Sequence, residues 1–148
     1  MEKMTFHTVI NASREKLWDA LWTDANYREW TSAFAEGSRA ESDWKKGSKI
    51  LFTDGKGSGM VSMIAENKPY EFMSFQHLGM IKEGVEDMEA GKTQGWAGAH
   101  ENYTLKEANG KTELTVEMDQ MGMSQDMLDY FSNTWPKALE KLKELAEK

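Results

Sequence analysis

Apolar and polar positions divide the chain into stretches of different period. Between Met4 and Ile10 apolar or β-branched residues fall on every second position, with Phe6, Thr8 and Ile10 on one face, and predict a first strand. Asn11-Ala12-Ser13 ends it, and Ser13 is placed to cap a helix over 14 to 22, where Leu17, Trp18, Leu21 and Trp22 recur at helical spacing. Thr23-Asp24 offers a second cap. A second short helix over about 25 to 31 carries Tyr27 and Trp30.

The middle of the chain reads as strands. Gly37 to Asp43 is a poorly patterned one and Lys49 to Thr53 a clear one. Asp54-Gly55-Lys56-Gly57-Ser58-Gly59 is a turn, and Met60 to Ala65 is the returning strand. The glycines of that turn mimic a phosphate loop, but they lack the strand-to-helix setting such a loop requires. Asn67-Lys68-Pro69 predicts another turn. Tyr70 to Met80 is a long strand with apolar residues on both faces, so its register stays open. Lys82 to Gly95 is polar and reads as a long loop or short helix, equally a lid over a cavity mouth or a solvated insertion.

The sharpest local signal is Asn109-Gly110, which suits a two-residue hairpin turn with positive φ at both positions. Counting outward pairs Lys106 with Glu113, Leu105 with Leu114, Thr104 with Thr115 and Tyr103 with Val116, each chemically matched across the strands. The count continues to Asn102 with Glu117 and Glu101 with Met118. Tyr103, Leu105, Leu114, Val116 and Met118 then share a buried face, and Glu101 falls on it too. A carboxylate there is costly unless paired. The simpler outcome is a bend near Trp96-Ala97-Gly98-Ala99 that carries Glu101 to water.

The chain closes with a helix over about 124 to 147, capped by Ser124. Its stripe of Met127, Phe131, Trp135, Leu139, Leu142 and Leu145 steps by three or four. Pro136 removes one backbone bond and predicts a kink near the middle. Strand, two short helices, about six further strands and one long helix argue an α+β fold with a helix laid on an antiparallel sheet.

Composition narrows the functions. A chain of 148 residues fits one domain, 1–148, and buries roughly 70% of its unfolded surface. Zero cysteines exclude disulfides, thiolate metal sites and cysteine nucleophiles. The net charge of −7, with Lys45-Lys46 as the only adjacent basic pair, argues against nucleic-acid and membrane-surface partners. No apolar run reaches the roughly 20 residues of a membrane helix, and the N-terminus lacks a signal-peptide core, so a cytoplasmic location is expected. His7, His77 and His100 are too scattered to predict a metal site, and no serine sits in a nucleophile elbow.

The order of motifs resembles the helix-grip fold of the START and birch-pollen-allergen (SRPBCC) superfamily. Within it, the residues resemble the family of activators of the heat-shock-protein-ninety ATPase, in its stand-alone bacterial form. The resemblance rests on Ile10-Asn11-Ala12-Ser13-Arg14-Glu15-Lys16-Leu17-Trp18-Asp19-Ala20-Leu21 with Trp22-Thr23-Asp24 and Trp30. It continues through Gly59-Met60-Val61, Asn67-Lys68-Pro69, Glu101-Asn102-Tyr103-Thr104-Leu105 and Gly110 to Val116. It ends on Trp135-Pro136-Lys137-Ala138-Leu139-Glu140-Lys141-Leu142. It implies a curved sheet of six to seven strands gripping the C-terminal helix, with a hydrophobic cavity between them. It implies no fixed activity, because the superfamily spans lipid and hormone carriers, cyclases, hydroxylase subunits and a co-chaperone domain of the stress response.

The primary expectation is binding of a small apolar or aromatic ligand in that cavity. The candidate ligand-binding residues are Phe75 and His77 on the long strand, Glu101, Tyr103 and Met118 on the hairpin, and Met127, Phe131 and Trp135 on the closing helix. No catalytic residue, cofactor or metal ligand is assigned. A protein-interaction or co-chaperone-like module with a protein partner is the alternative. A cyclase- or hydrolase-like enzyme using cavity Glu and His is the second.

Overall fold

The computed structural model describes residues 3–148. Strand β1 (Lys3–Ile10) leads through Ser13 into helix α1 (Arg14–Trp22) and helix α2 (Asp24–Thr31). The Ser13 hydroxyl accepts the Lys16 amide at 3.1 Å, as the sequence predicts of a cap. Thr23 behaves differently. Its hydroxyl donates back to the Asp19 carbonyl at 2.7 Å and caps nothing in α2.

Strands β2 (Arg39–Glu41), β3 (Lys49–Thr53), β4 (Gly59–Lys68) and β5 (Phe72–Lys82) follow. Then come β6 (Val85–Asp87), helix α3 (Glu89–Gln94), β7 (His100–Ala108), β8 (Lys111–Asp119) and helix α4 (Gln125–Glu147). The sheet is antiparallel with strand order β1-β8-β7-β5-β4-β3-β2, and β6 pairs β5 off that path. It is the α+β helix-grip arrangement, with eight strands where six to seven are expected. The additional strand is β6, inside the polar stretch 82–95. That stretch contains the short helix the sequence allowed and is largely solvent-exposed, and β6 is its unexpected part. The stretch makes a hairpin with β5 and then a helical turn packed on the same strand. Gly91 permits that packing: a Cβ there would lie 2.7 Å from the Leu78 carbonyl oxygen.

The β7–β8 hairpin has the predicted register at every position from Glu101↔Met118 to Lys106↔Glu113. Asn109 and Gly110 carry φ of 57° and 78°, as a two-residue turn of this type needs. The β4–β5 pair departs from expectation. β4 runs on through Asn67 and Lys68, and the turn falls at Pro69-Tyr70, where the Glu71 amide donates to the Lys68 carbonyl at 3.0 Å. Two irregularities interrupt the pair, between Val61 and Ser62 and between Ile64 and Glu66. At the first, Val61 faces Gly79 and Ser62 faces His77, so Leu78 is the extra residue of a bulge. The bulge reverses which side chains point inward along β5. His77 before it and Met80 after it therefore face the same interior space. This is why alternation alone left the strand's register open.

Helix α4 is continuous through Pro136, and Ser124 caps it by accepting the Met127 amide at 3.2 Å. It lies on the concave side of the sheet with α1 and α2 beside it. Ala138, Leu139, Leu142 and Ala146 join Ile10, Leu17, Leu21 and Leu114 in one buried cluster. Glu147 closes this end by accepting the Asn11 amide at 2.8 Å.

Candidate functional site

Toward the N-terminal half of α4 the helix and the sheet separate. The space between them is a half-open cavity of about 460 Å³, within the size range of small-molecule sites. Seven of the eight candidate residues line it: His77, Glu101, Tyr103, Met118, Met127, Phe131 and Trp135. Phe75 does not. It is fully buried behind the wall, where its ring meets Phe52, Trp22 and Tyr103 edge-on at 5.1, 5.4 and 5.9 Å. Phe75 is therefore placed behind the lining rather than on it, packed against the Phe52 and Tyr103 rings that border the cavity.

The polar part of the cavity is a chain of four side chains on adjacent strands. Ser62 Oγ and His77 Nδ1 are 2.7 Å apart, and His77 Nε2 lies 3.2 Å from Glu101 Oε1. The Tyr103 hydroxyl donates to Glu101 Oε2. His77 is anchored by its backbone on both sides, accepting the Gly98 amide and donating to the Ala99 carbonyl, each at 2.8 Å. The expected bend near Trp96–Ala99 does not carry Glu101 to water: its side chain is 16% accessible and points inward from β7. The cause is the hairpin register, which puts Glu101 opposite Met118 on the concave face.

Directionality follows from Ser62. It is fully buried, and His77 is the partner of its hydroxyl among the described residues. If Nδ1 carried a proton, the Ser62 proton would have no acceptor, a costly orphan in the interior. The satisfied arrangement has Ser62 donating to Nδ1, Nε2–H donating to one Glu101 oxygen and Tyr103 donating to the other. Each carboxylate oxygen then keeps a free lone pair, and Glu101 borders the cavity. Burial, and next the charge of Glu101, push the hydroxyls of Tyr27 and Tyr103 above the ordinary tyrosine range.

Thr31, Ser38, Gln94, His100 and Asp119 add further polar groups, and the rest of the wall is mostly aromatic and Met side chains. Trp30 and Trp135 lie 6.0 Å apart, Phe34 meets Trp135 edge-on at 5.0 Å, and Tyr27 lies 6.3 Å from Phe52. The indole of Trp135 also donates to the Met118 sulfur at 3.1 Å. Tyr27, Trp30, Phe34 and Phe52 are wall residues that the sequence reading did not single out. For Tyr27 and Trp30 the signal was the density of aromatics on a helix too short to bury them by itself; Phe34 follows that helix and Phe52 lies on β3, and neither had a local signal. From the stretch 82–95 only Gln94 reaches the lining. Among the described residues no three His, Asp or Glu side chains gather as metal ligands, and no helix is long and apolar enough to cross a membrane.

Known proteins place this architecture. The family described as Activator of Hsp90 ATPase homolog 1-like protein matches residues 11–147. The fold is similar to the Aha1 dimer protein of Colwellia psychrerythraea, with TM-score 0.75, 21% identity and 99% and 97% of the two chains covered. It is also similar to a Cytophaga hutchinsonii protein, with TM-score 0.70, 22% identity and coverage of 99% and 94%. A Mesorhizobium loti protein aligns with TM-score 0.72, 19% identity and coverage of 97% and 96%. At these identities the likeness concerns the fold. No curated protein sequence matches the chain.

Proposed function

The chain belongs to the Activator of Hsp90 ATPase homolog 1-like family, and from that membership and the cavity together we propose that it binds a small apolar or aromatic molecule between sheet and helix. The family's fold serves ligand-binding and interaction modules in general. The observation that carries the narrower reading is the cavity itself, about 460 Å³ of mostly apolar wall with one carboxylate held at its base by His77 and Tyr103. A solid core has no use for that volume, since unfilled space of this size costs packing energy.

A protein-interaction role would need a broad exposed apolar patch. Among the described residues the exposed large apolar ones are Val9, Tyr70, Val85, Met88, Met127 and Tyr130, and they are spread over several elements. Of these, Met127 and Tyr130 both border the cavity. For an enzyme, Glu101, Asp119 and His77 border the cavity, whereas Ser62 lies behind His77, out of a ligand's reach.

Native mass spectrometry of the purified protein, with displacement titration of a neutral naphthyl fluorophore, tests the proposal. The expected result is a co-purifying or added ligand at one per chain, with quenching of tryptophan emission. A folded protein that takes up no apolar molecule at saturating concentration would overturn it.

A further inference from the structure

We infer that the cavity selects an organic cation, an apolar or aromatic body carrying an amine or quaternary ammonium, through Glu101 and the surrounding aromatic wall. This rests on the ligand-binding reading above and narrows its ligand class.

Three observations lead there. First, the chain has 18 Lys and Arg residues, yet none of them lines the cavity, while Glu101 and Asp119 both do. Asp119 is engaged by the His100 amide at 2.9 Å, with the His100 imidazole 3.7 Å away. Glu101 has only neutral donors around it in the arrangement Ser62 dictates. Its charge is therefore solvated by hydrogen bonds but not neutralised, and a buried carboxylate in that condition gains most from a cationic partner.

Second, Tyr27, Trp30, Phe34, Phe52, Phe131 and Trp135 line the same space. Aromatic faces are negative and attract a cation, most strongly where water is excluded. An ammonium near Glu101 would be bordered by such rings as well as by the carboxylate. Third, a carboxylate-bearing ligand such as a fatty acid meets Glu101 with no Lys or Arg in the lining to offset it, and His77 is held neutral in the arrangement Ser62 dictates. That is a repulsive selection against anions rather than indifference to them. The suppressed ionisation of the Tyr27 hydroxyl, due first to burial and then to the Glu101 charge, agrees with the negative field in the cavity.

Three ligands with one body and different charge test this: naphthylmethylammonium, naphthylmethanol and naphthoate, measured by calorimetry at one pH and salt concentration. The cation is expected to bind at least about tenfold tighter than the anion, with the alcohol between. Glu101→Gln should remove most of that preference. Glu140→Gln, which makes the same change in net charge at an exposed position of α4, should leave it. If Glu101→Gln does not fold, Phe52→Leu serves instead and should weaken the cation more than the alcohol. Naphthoate binding as tightly as the cation, or a ranking unmoved by both cavity substitutions, would overturn the inference while leaving the ligand-binding reading in place. Failure of all three ligands to bind the folded protein would overturn both.

Discussion

The two halves of α4 lie on the same sheet and carry one continuous stripe, but they do different work. After Trp135 the stripe is Ala138, Leu139, Leu142 and Ala146, small or branched aliphatics buried against α1 and the strands. Before it come Met127, Tyr130 and Phe131. Met127 and Tyr130 are 40% and 44% exposed, and Phe131 is half-buried at the cavity mouth. The Tyr130 hydroxyl donates to the Phe34 carbonyl and ties this half to the segment after α2. Leu and Ala fill space closely and in few rotamers. Met and aromatic side chains span gaps and accept varied neighbours. The change of residue type within one stripe thus separates a core from a container, which periodicity does not register.

The closed half should respond most to truncation. Leu142→Ala should cost about 2–5 kcal/mol in denaturant melts while leaving the affinity for a neutral apolar probe in the remaining folded protein unchanged. A loss of less than about 1 kcal/mol would mean that this end is not closely packed, and the contrast would fail.

At the same end, Gly110→Val should destabilise by about 1–2 kcal/mol, because a β-branched residue resists the positive φ the turn requires. A neutral melt would show that the hairpin does not depend on its turn. Phe131→Ala probes the open half and should cost only about 1 kcal/mol, since the ring already borders empty space; probe affinity should move more than stability does. A cost near that of Leu142→Ala would erase the distinction between the halves.

The smallest effect at neutral pH concerns the cavity tyrosines. In the folded protein Tyr27 and Tyr103 hold their protons above the ordinary value of 10.0, first because they are buried and then because Glu101 is near. The unfolded chain ionises them at that ordinary value. Their contribution to stability is therefore complete below it and declines as pH rises above it. An absorbance titration should show two of the four tyrosines resisting ionisation until the fold is lost. Four groups titrating together at the ordinary value would contradict the buried cluster.

Much of the fold was legible because it is specified by near neighbours. Ser13 and Ser124 announce their helices by a side chain reaching an amide three residues on, and Asn109-Gly110 sets a register that runs eight pairs back. That register is also what put Glu101 on the inner face. A single strand pattern assigned the carboxylate correctly and then lost it to a supposed bend, because alternation does not reveal whether His77 and Tyr103 wait to receive it.

What the tertiary structure alone decided involves residues distant in sequence. The bulge at Leu78 aims His77 and Met80 into one space, and no local rule places a bulge in a strand that is apolar on both faces. Packing of α2 on α4 brings Tyr27 and Trp30 to the wall, and pairing of β3 with β4 brings Phe52. Phe75 and His77 lie on the same face two residues apart, yet one is enclosed and the other borders the cavity. The physical reason is that hydrogen-bonded turns and caps are satisfied within a few residues, so sequence by itself determines them. Whether an apolar face meets a partner or an empty space depends on side chains contributed by other elements, and only the assembled fold decides it.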